Sequence, residues 1–214
     1  MESQIKLVCF DLDKTLIKQT SWYELNMALG ITHEEDQQML DDYEAGKFSY
    51  EEWMKKIYDL YKLRGKANLK NVTDAISRSY TFKDGAKEII SYLKERGYKV
   101  VLISGSIDIL IDMVAKDLDL DMAEATHELI FDENDQLQEI RLLAADNVAK
   151  LHHLESFCRK LGLDLNQCAC IGDGDNDLDM FRKTGRGITF KGSKIEKEAW
   201  KVIESLSDLK SILI

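Results

Sequence analysis

Aspartates cluster in this sequence at places where they could do chemistry. Asp11-Leu12-Asp13-Lys14-Thr15 sets two carboxylates two residues apart, and Gly172-Asp173-Gly174-Asp175-Asn176-Asp177 places three more among glycines and an asparagine. Ser104-Gly105-Ser106 adds hydroxyls, and Lys150 adds a cation. Each feature alone has a structural reading: acidic turns are common, Ser104 could cap a helix, and Lys150 could be a solvated helix residue. Brought together, Asp11, Asp13, Asp173 and Asp177 would repel one another. A hard divalent cation with oxygen ligands relieves that repulsion, and Mg²⁺ suits a partly hydrated site of this kind. With Lys150 it would draw a phosphate dianion into an otherwise negative protein.

The surrounding elements decide whether these residues meet. Short apolar runs at 5–10, 98–103 and 168–171 read as buried strands, and each ends at one of the polar segments. Helical patterns lie between them. One spans 86–96 and closes on Gly97; one starts near Ser106 with Ile107, Leu110, Ile111, Val114 and Leu118 on one face; one spans 147–161 and closes on Gly162. Residues 123–131 and 137–142 read as a hairpin around Asp132-Glu133-Asn134-Asp135, and a weak strand at 187–190 precedes a final strand–helix pair.

This alternation predicts the α/β class: a Rossmann-like, doubly wound parallel sheet with ligands at the carboxyl ends of its strands. All the polar segments then share one edge, with Ser104 and the N–H groups after it at a helix start suited to an anion. A long helical stretch, punctuated by Gly30, Gly46 and Gly65, interrupts the alternation after the first strand. The division expected is a catalytic core at 1–16 and 82–214, with a helical insert at 17–81.

The whole chain limits the partners. Its 214 residues carry a formal net charge of -10, which disfavours nucleic acid and an anionic membrane. No apolar stretch reaches the length of a membrane span, and Met1-Glu2-Ser3-Gln4 has no basic leader character. A cytoplasmic protein, monomeric or homodimeric, is expected. Cys9, Cys158, Cys168 and Cys170 read as free thiols.

The order and content of these segments resemble the four motifs of the haloacid dehalogenase-like hydrolase superfamily. Asp11-Leu12-Asp13-Lys14-Thr15 resembles the first, Ser104 within Leu102-Ile103-Ser104-Gly105-Ser106 the second, Lys150 the third, and Gly172 to Asp177 the fourth. The insert after the first motif is similar to that of the phosphoserine phosphatase branch. The resemblance implies Asp11 as nucleophile, forming an aspartyl phosphate, and Asp13 as general acid and then base. It implies Mg²⁺ held by Asp11, the main chain of Asp13 and Asp173, with Asp177 acting through a metal-bound water. Ser104, Gly105, Lys150 and Asn176 would bind the phosphoryl group, and the insert would be a cap.

In that branch a Glu after the first motif and an Arg in the cap read the amino-acid end of the substrate. Here Thr20 and Ile57 stand at those positions, with Lys55 and Lys56 near Ile57. An unmatched zwitterion is costly to bind, so phosphoserine is not the expected substrate. Tyr50 and Trp53 could stack on an organic group or form cap core. The expectation is a Mg²⁺-dependent phosphatase of a small phosphorylated metabolite. A phosphotransferase to an alcohol and a receiver-like phospho-acceptor are the alternatives.

Overall fold

Leu7–Phe10 forms strand β1, and all four residues are buried. A strand with no exposed position has both faces covered, the environment of a central parallel strand. The structure is a computed structural model and describes residues 4–142 and 144–213. The expectation that no leader is present began at Met1, and residues 1–3 lie outside the described residues.

Four helices follow β1: α1 (Ser21–Leu29), α2 (His33–Glu44), α3 (Tyr50–Arg64) and α4 (Leu69–Ser79). Thr32 and Ser49 open α2 and α3 with reciprocal capping boxes to Glu35 and Glu52. Gly30 and Gly65 close α1 and α3 in the left-handed region, at φ 95° and 66°. The chain enters and leaves this block side by side: Ile17 bridges Phe82, and Lys18 N–H donates to the Thr81 carbonyl.

The remaining elements alternate. They are α5 (Ala86–Glu95), β2 (Lys99–Ile107), α6 (Asp108–Asp117), β3 (Met122–Phe131), β4 (Leu137–Leu142), α7 (Asp146–Leu161), β5 (Cys168–Ile171), α8 (Leu178–Thr184), β6 (Gly187–Phe190), β7 (Lys201–Ile203) and α9 (Leu209–Ile212). The strands form one sheet in the order β4-β3-β2-β1-β5-β6-β7. All neighbours are parallel except the hairpin β3–β4, which closes one edge. No helix among the described residues is long and apolar enough to cross a membrane.

Side-chain alternation divides the central strands between two cores. Val8, Phe10, Val100, Leu102, Ala169 and Ile171 face the larger one, which continues through α5 and α6 into the four-helix block at Leu25, Ile57 and Tyr61. Leu7, Cys9, Val101, Ile103, Cys168 and Cys170 face the smaller, packed by Leu154, Phe157, Met180 and Phe181 of α7 and α8. All four cysteines are free and buried in this second layer.

One boundary differs from the sequence reading and bears on the site. β2 does not end at Ile103 with a helix near Ser106. It runs on to Ile107, because β3 continues to pair with it through Ile107 and His127 across a register shift. Ile107 is extended, and α6 begins only at Asp108. Ser104 therefore lies four residues ahead of α6.

Candidate active site

Phe10 pairs with Leu102 on one side and Ile171 on the other, so β1 and β5 end level with each other while β2 runs on beside them. Asp11 N–H donates to the Ile171 carbonyl at 2.8 Å, which seats Asp11 beside the Gly172 turn. The chain runs outward from β1 through β4 and then returns to β5 on the other side of β1. The crevice between β1 and β5 is thus the point where strand order reverses, the usual ligand position in such sheets. Carboxylate oxygens of Asp11, Asp173 and Asp177 lie there within 4.8 Å of one another.

Lys150 reaches this cluster from α7. Its side chain is wholly buried, and Nζ donates to Asp11 Oδ1 at 2.7 Å and to Asp177 Oδ1 at 2.8 Å. Burial opposes the ammonium charge, but Asp11, Asp177 and Asp146 outweigh it and hold Lys150 well above the ordinary lysine range. Asp177 Oδ2 also accepts the N–H groups of Asp173 and Gly174, at 3.1 and 3.2 Å. A β-carbon on Gly172 would come 2.1 Å from that oxygen, so only glycine admits this tight return. Burial pushes Asp177 up, Lys150 pulls it back and Asp11 adds to the rise. Burial, then Asp11, also raises Asp173. One ammonium does not balance these carboxylates. The three hard oxygen donors fit a divalent cation, which would complete the balance.

Lys150→Met tests this balance. Removing the ammonium that contacts both Asp11 and Asp177 leaves two buried carboxylates facing each other, and a stability loss of about 3–5 kcal/mol is expected. Thermal denaturation with and without a divalent cation measures it, and the cation should restore part of the loss.

Asp13 is placed differently. Its Oδ2 accepts from Ser21 N–H at 2.9 Å and from the Ser21 hydroxyl at 2.7 Å, while Oδ1 is buried without a partner among the described residues. Burial and then the charge of Asp11 push its pKa up to about 7, against the two Ser21 bonds. Ser21 also meets Ser106 Oγ at 2.6 Å, and Trp22 Nε1 donates to the Gly105 carbonyl at 2.9 Å. The first turn of α1 is thereby fastened to the end of β2. The side chain of Asp13 is not in the acidic triad, so any part it plays toward a metal falls to its main chain.

Beyond Gly105 lies a second polar chain. Tyr50 OH meets His127 Nε2 at 3.1 Å, His127 Nδ1 meets Thr126 Oγ1 at 2.9 Å, and the Thr126 hydroxyl donates to Asp146 Oδ1. Because Thr126 spends its proton on Asp146, it accepts from His127 Nδ1–H, which leaves Nε2 to accept from Tyr50. Burial lowers the His127 pKa, with Asp146 opposing, so the ring is neutral. Asn176 Nδ2 donates to Asp146 Oδ2 at 2.6 Å. A β-carbon on Gly105 would lie 2.3 Å from the same oxygen.

The sequence-predicted residues divide accordingly. Asp11, Lys150, Asp173 and Asp177 come together, and Asp13 sits close by on Ser21. Gly105 and Asn176 both meet Asp146. Ser104 is buried, and its Oγ accepts from Ser106 N–H at 3.3 Å, so the helix-start argument for anion binding does not hold. Thr20 is half-buried ahead of α1 and makes no side-chain capping bond. Tyr50 reaches His127, and Ile57 is core. Ser21, Trp22, Thr126, His127 and Asp146 were missed. Thr126 and His127, adjacent in the strand Met122–Phe131, were a signal for two of them.

An acidic triad and a buried lysine at the switch point of a doubly wound sheet, with a protonatable carboxyl two residues from the first aspartate, define an enzyme of phosphoryl transfer. A family model described as haloacid dehalogenase-like hydrolase matches residues 8–182. The phosphoserine phosphatase of Methanocaldococcus jannaschii is 32% identical over 213 residues, spanning 100% of this chain and 98% of the relative. That of Wolinella succinogenes is 29% identical, spanning 98% of each. A solved substrate-bound phosphoserine phosphatase complex superposes with a TM-score of 0.80 at 32% identity, over 99% of this chain and 98% of the other. The chain belongs to the haloacid dehalogenase-like hydrolases, in their phosphoserine phosphatase-like branch, and is a phosphoric monoester hydrolase.

Proposed function

We propose that the protein hydrolyses a small phosphomonoester through an aspartyl phosphate on Asp11, with Mg²⁺ as cofactor. The observation that carries this is the division between two neighbouring aspartates. Asp11 lies against Lys150 and two further carboxylates, whereas Asp13 turns to Ser21 and is pushed up to about 7. A carboxylate oxygen of Asp11 attacks phosphorus, and the bond from phosphorus to the alcohol oxygen breaks as Asp13 gives that oxygen its proton. Asp13 then takes a proton from the water that attacks the acyl phosphate, which frees phosphate and restores Asp11. Lys150, Ser104, Gly105 and Asn176 hold the phosphoryl oxygens. Asp11, the main chain of Asp13, Asp173 and Asp177 would hold Mg²⁺, whose charge neutralises the phosphoryl oxygens when bound.

The block at 17–81 acts as a lid between the two core segments 1–16 and 82–214, excluding water through the α1 contacts at Ser21 and Trp22. Its residues argue against phosphoserine itself. Thr20 and Ile57 replace the expected Glu and Arg, and Ile57 is 1% exposed. Neither nearby lysine substitutes for the Arg: Lys55 pairs with Asp59, and Lys56 lies over the Phe48 ring. The substrate is a small cytoplasmic metabolite, and the protein works as a monomer or homodimer. A receiver would need a long-lived acyl phosphate, which a poised Asp13 works against.

Turnover of a chromogenic aryl phosphate with Mg²⁺, and again after chelation, tests this reading. Chelation should lower kcat/KM by about a hundredfold, equivalent to a few kcal/mol of lost charge stabilisation. Equal rates in both conditions would rule out the metal-assisted mechanism.

A further inference from the structure

The reading above leaves the alcohol half of the substrate unnamed, and the polar group beyond Asp13 holds a carboxylate, that of Asp146. The leaving oxygen must lie near Asp13 Oδ1, the buried oxygen without a partner among the described residues. From there Ser21 leads to Trp22, Trp22 to Gly105, and Gly105 to the carboxylate of Asp146. His127 joins the same group, 5.2 Å from the Trp22 ring and 5.7 Å from the Tyr50 ring.

Asp146 contributes a negative charge here. Its two oxygens accept from Thr126 and from Asn176, one each, and a carboxylate has room for more. Asp146 is partly buried rather than enclosed. Trp22 and Tyr50 present aromatic rings, which attract cations. His127 is neutral. The ammonium of Lys150 is committed to Asp11 and Asp177. Arg64 pairs with Glu35, and Arg141 pairs with Glu128 and Glu139. Glu128 follows His127 in β3 and points to the opposite face, so Arg141 lies away from His127.

We propose that the substrate is an amino-alcohol phosphate, a phosphomonoester whose alcohol carries a cationic nitrogen and no carboxylate, with Asp146 as its counter-charge and Trp22 and Tyr50 as aromatic walls. This rests on the phosphatase reading and gives it a substrate class. Phosphoserine carries a carboxylate that Asp146 would repel, and Lys150, Arg64 and Arg141 are each held by other carboxylates.

The test uses the full chain with Mg²⁺ and four probes: choline phosphate, its uncharged isostere with tert-butyl in place of trimethylammonium, ethanolamine phosphate and phosphoserine. The two choline-shaped probes differ in charge alone. A kcat/KM ratio of about tenfold or more favouring the cation is expected, with ethanolamine phosphate above phosphoserine by a similar factor. Asp146→Asn should bring the choline-to-isostere ratio close to one. A wild-type ratio near one, or phosphoserine as the best probe, overturns the proposal even if the variant does not fold. An aryl phosphate control separates the two claims. If it turns over while the cation preference is absent, only the substrate class is wrong. If neither it nor any probe turns over, the phosphatase reading fails.

Discussion

Asp11→Asn should abolish turnover, with kcat down by about 10⁴-fold or more, as when a covalent nucleophile is removed from a preorganised site. The amide keeps the shape of the carboxylate and can still accept from Lys150 Nζ, which now sits 2.7 Å from Asp11 Oδ1. What it loses is the charge that attacks phosphorus and one hard ligand of the acidic triad. The fold should survive. Asp11 raises the pKa of Asp13, Asp173 and Asp177, so its charge is a strain on its neighbours rather than a support. Thermal stability of the variant in the absence of metal should equal or exceed that of the parent, a common relation where function stores repulsion. Retained turnover would exclude Asp11 as nucleophile. Loss of turnover together with loss of the fold would make its role structural.

How much of this could be read in advance follows from where each signal lies in the chain. β1 and β5 were legible because their four residues are all apolar and each ends in an acidic turn. The glycines at 30 and 65 marked helix ends because left-handed φ there is a local property. Asp11, Asp173 and Asp177 were placed by parallel topology, since strand ends of one sheet share an edge, while Lys150 was placed by its position at the start of the helix that leads into β5 and by the motif resemblance. The end of β2 was misread for the opposite reason. Ser104-Gly105-Ser106 has the composition of a turn, but pairing with β3 through His127 extends the strand across it, and that pairing is not local. The contacts of Asp146 were hidden in the same way. Its partners come from β3 and from the turn after β5, so no window of sequence contains them. The insert at 17–81 was read from the interruption of strand–helix alternation after the first strand. What the insert touches, Ser106 and Gly105 through Ser21 and Trp22, is tertiary.

Asp13→Asn separates the two halves of the reaction. With an alkyl phosphate, the alkoxide leaves poorly without a proton, and kcat should fall by about 10²–10⁴-fold, the usual worth of a positioned general acid. An aryl phosphate leaves as a stable phenolate and needs no proton, so its transfer to Asp11 should be slowed far less. The acyl phosphate then formed must be hydrolysed by water, and the amide cannot take that water's proton. The variant should therefore release about one phenolate per active site in a burst and then stall, with the phosphoryl group trapped on the protein. The geometry supports reading this as loss of proton transfer. Ser21 N–H and hydroxyl hold Oδ2, an atom the amide can present as its carbonyl oxygen, so the side chain stays in place while Oδ1 becomes an NH2 too weakly acidic to give up a proton. Rapid-quench detection of the phenolate and of phosphorylated protein measures both steps. A uniform loss with alkyl and aryl substrates and no burst would show that Asp13 positions the first turn of α1 and moves no proton.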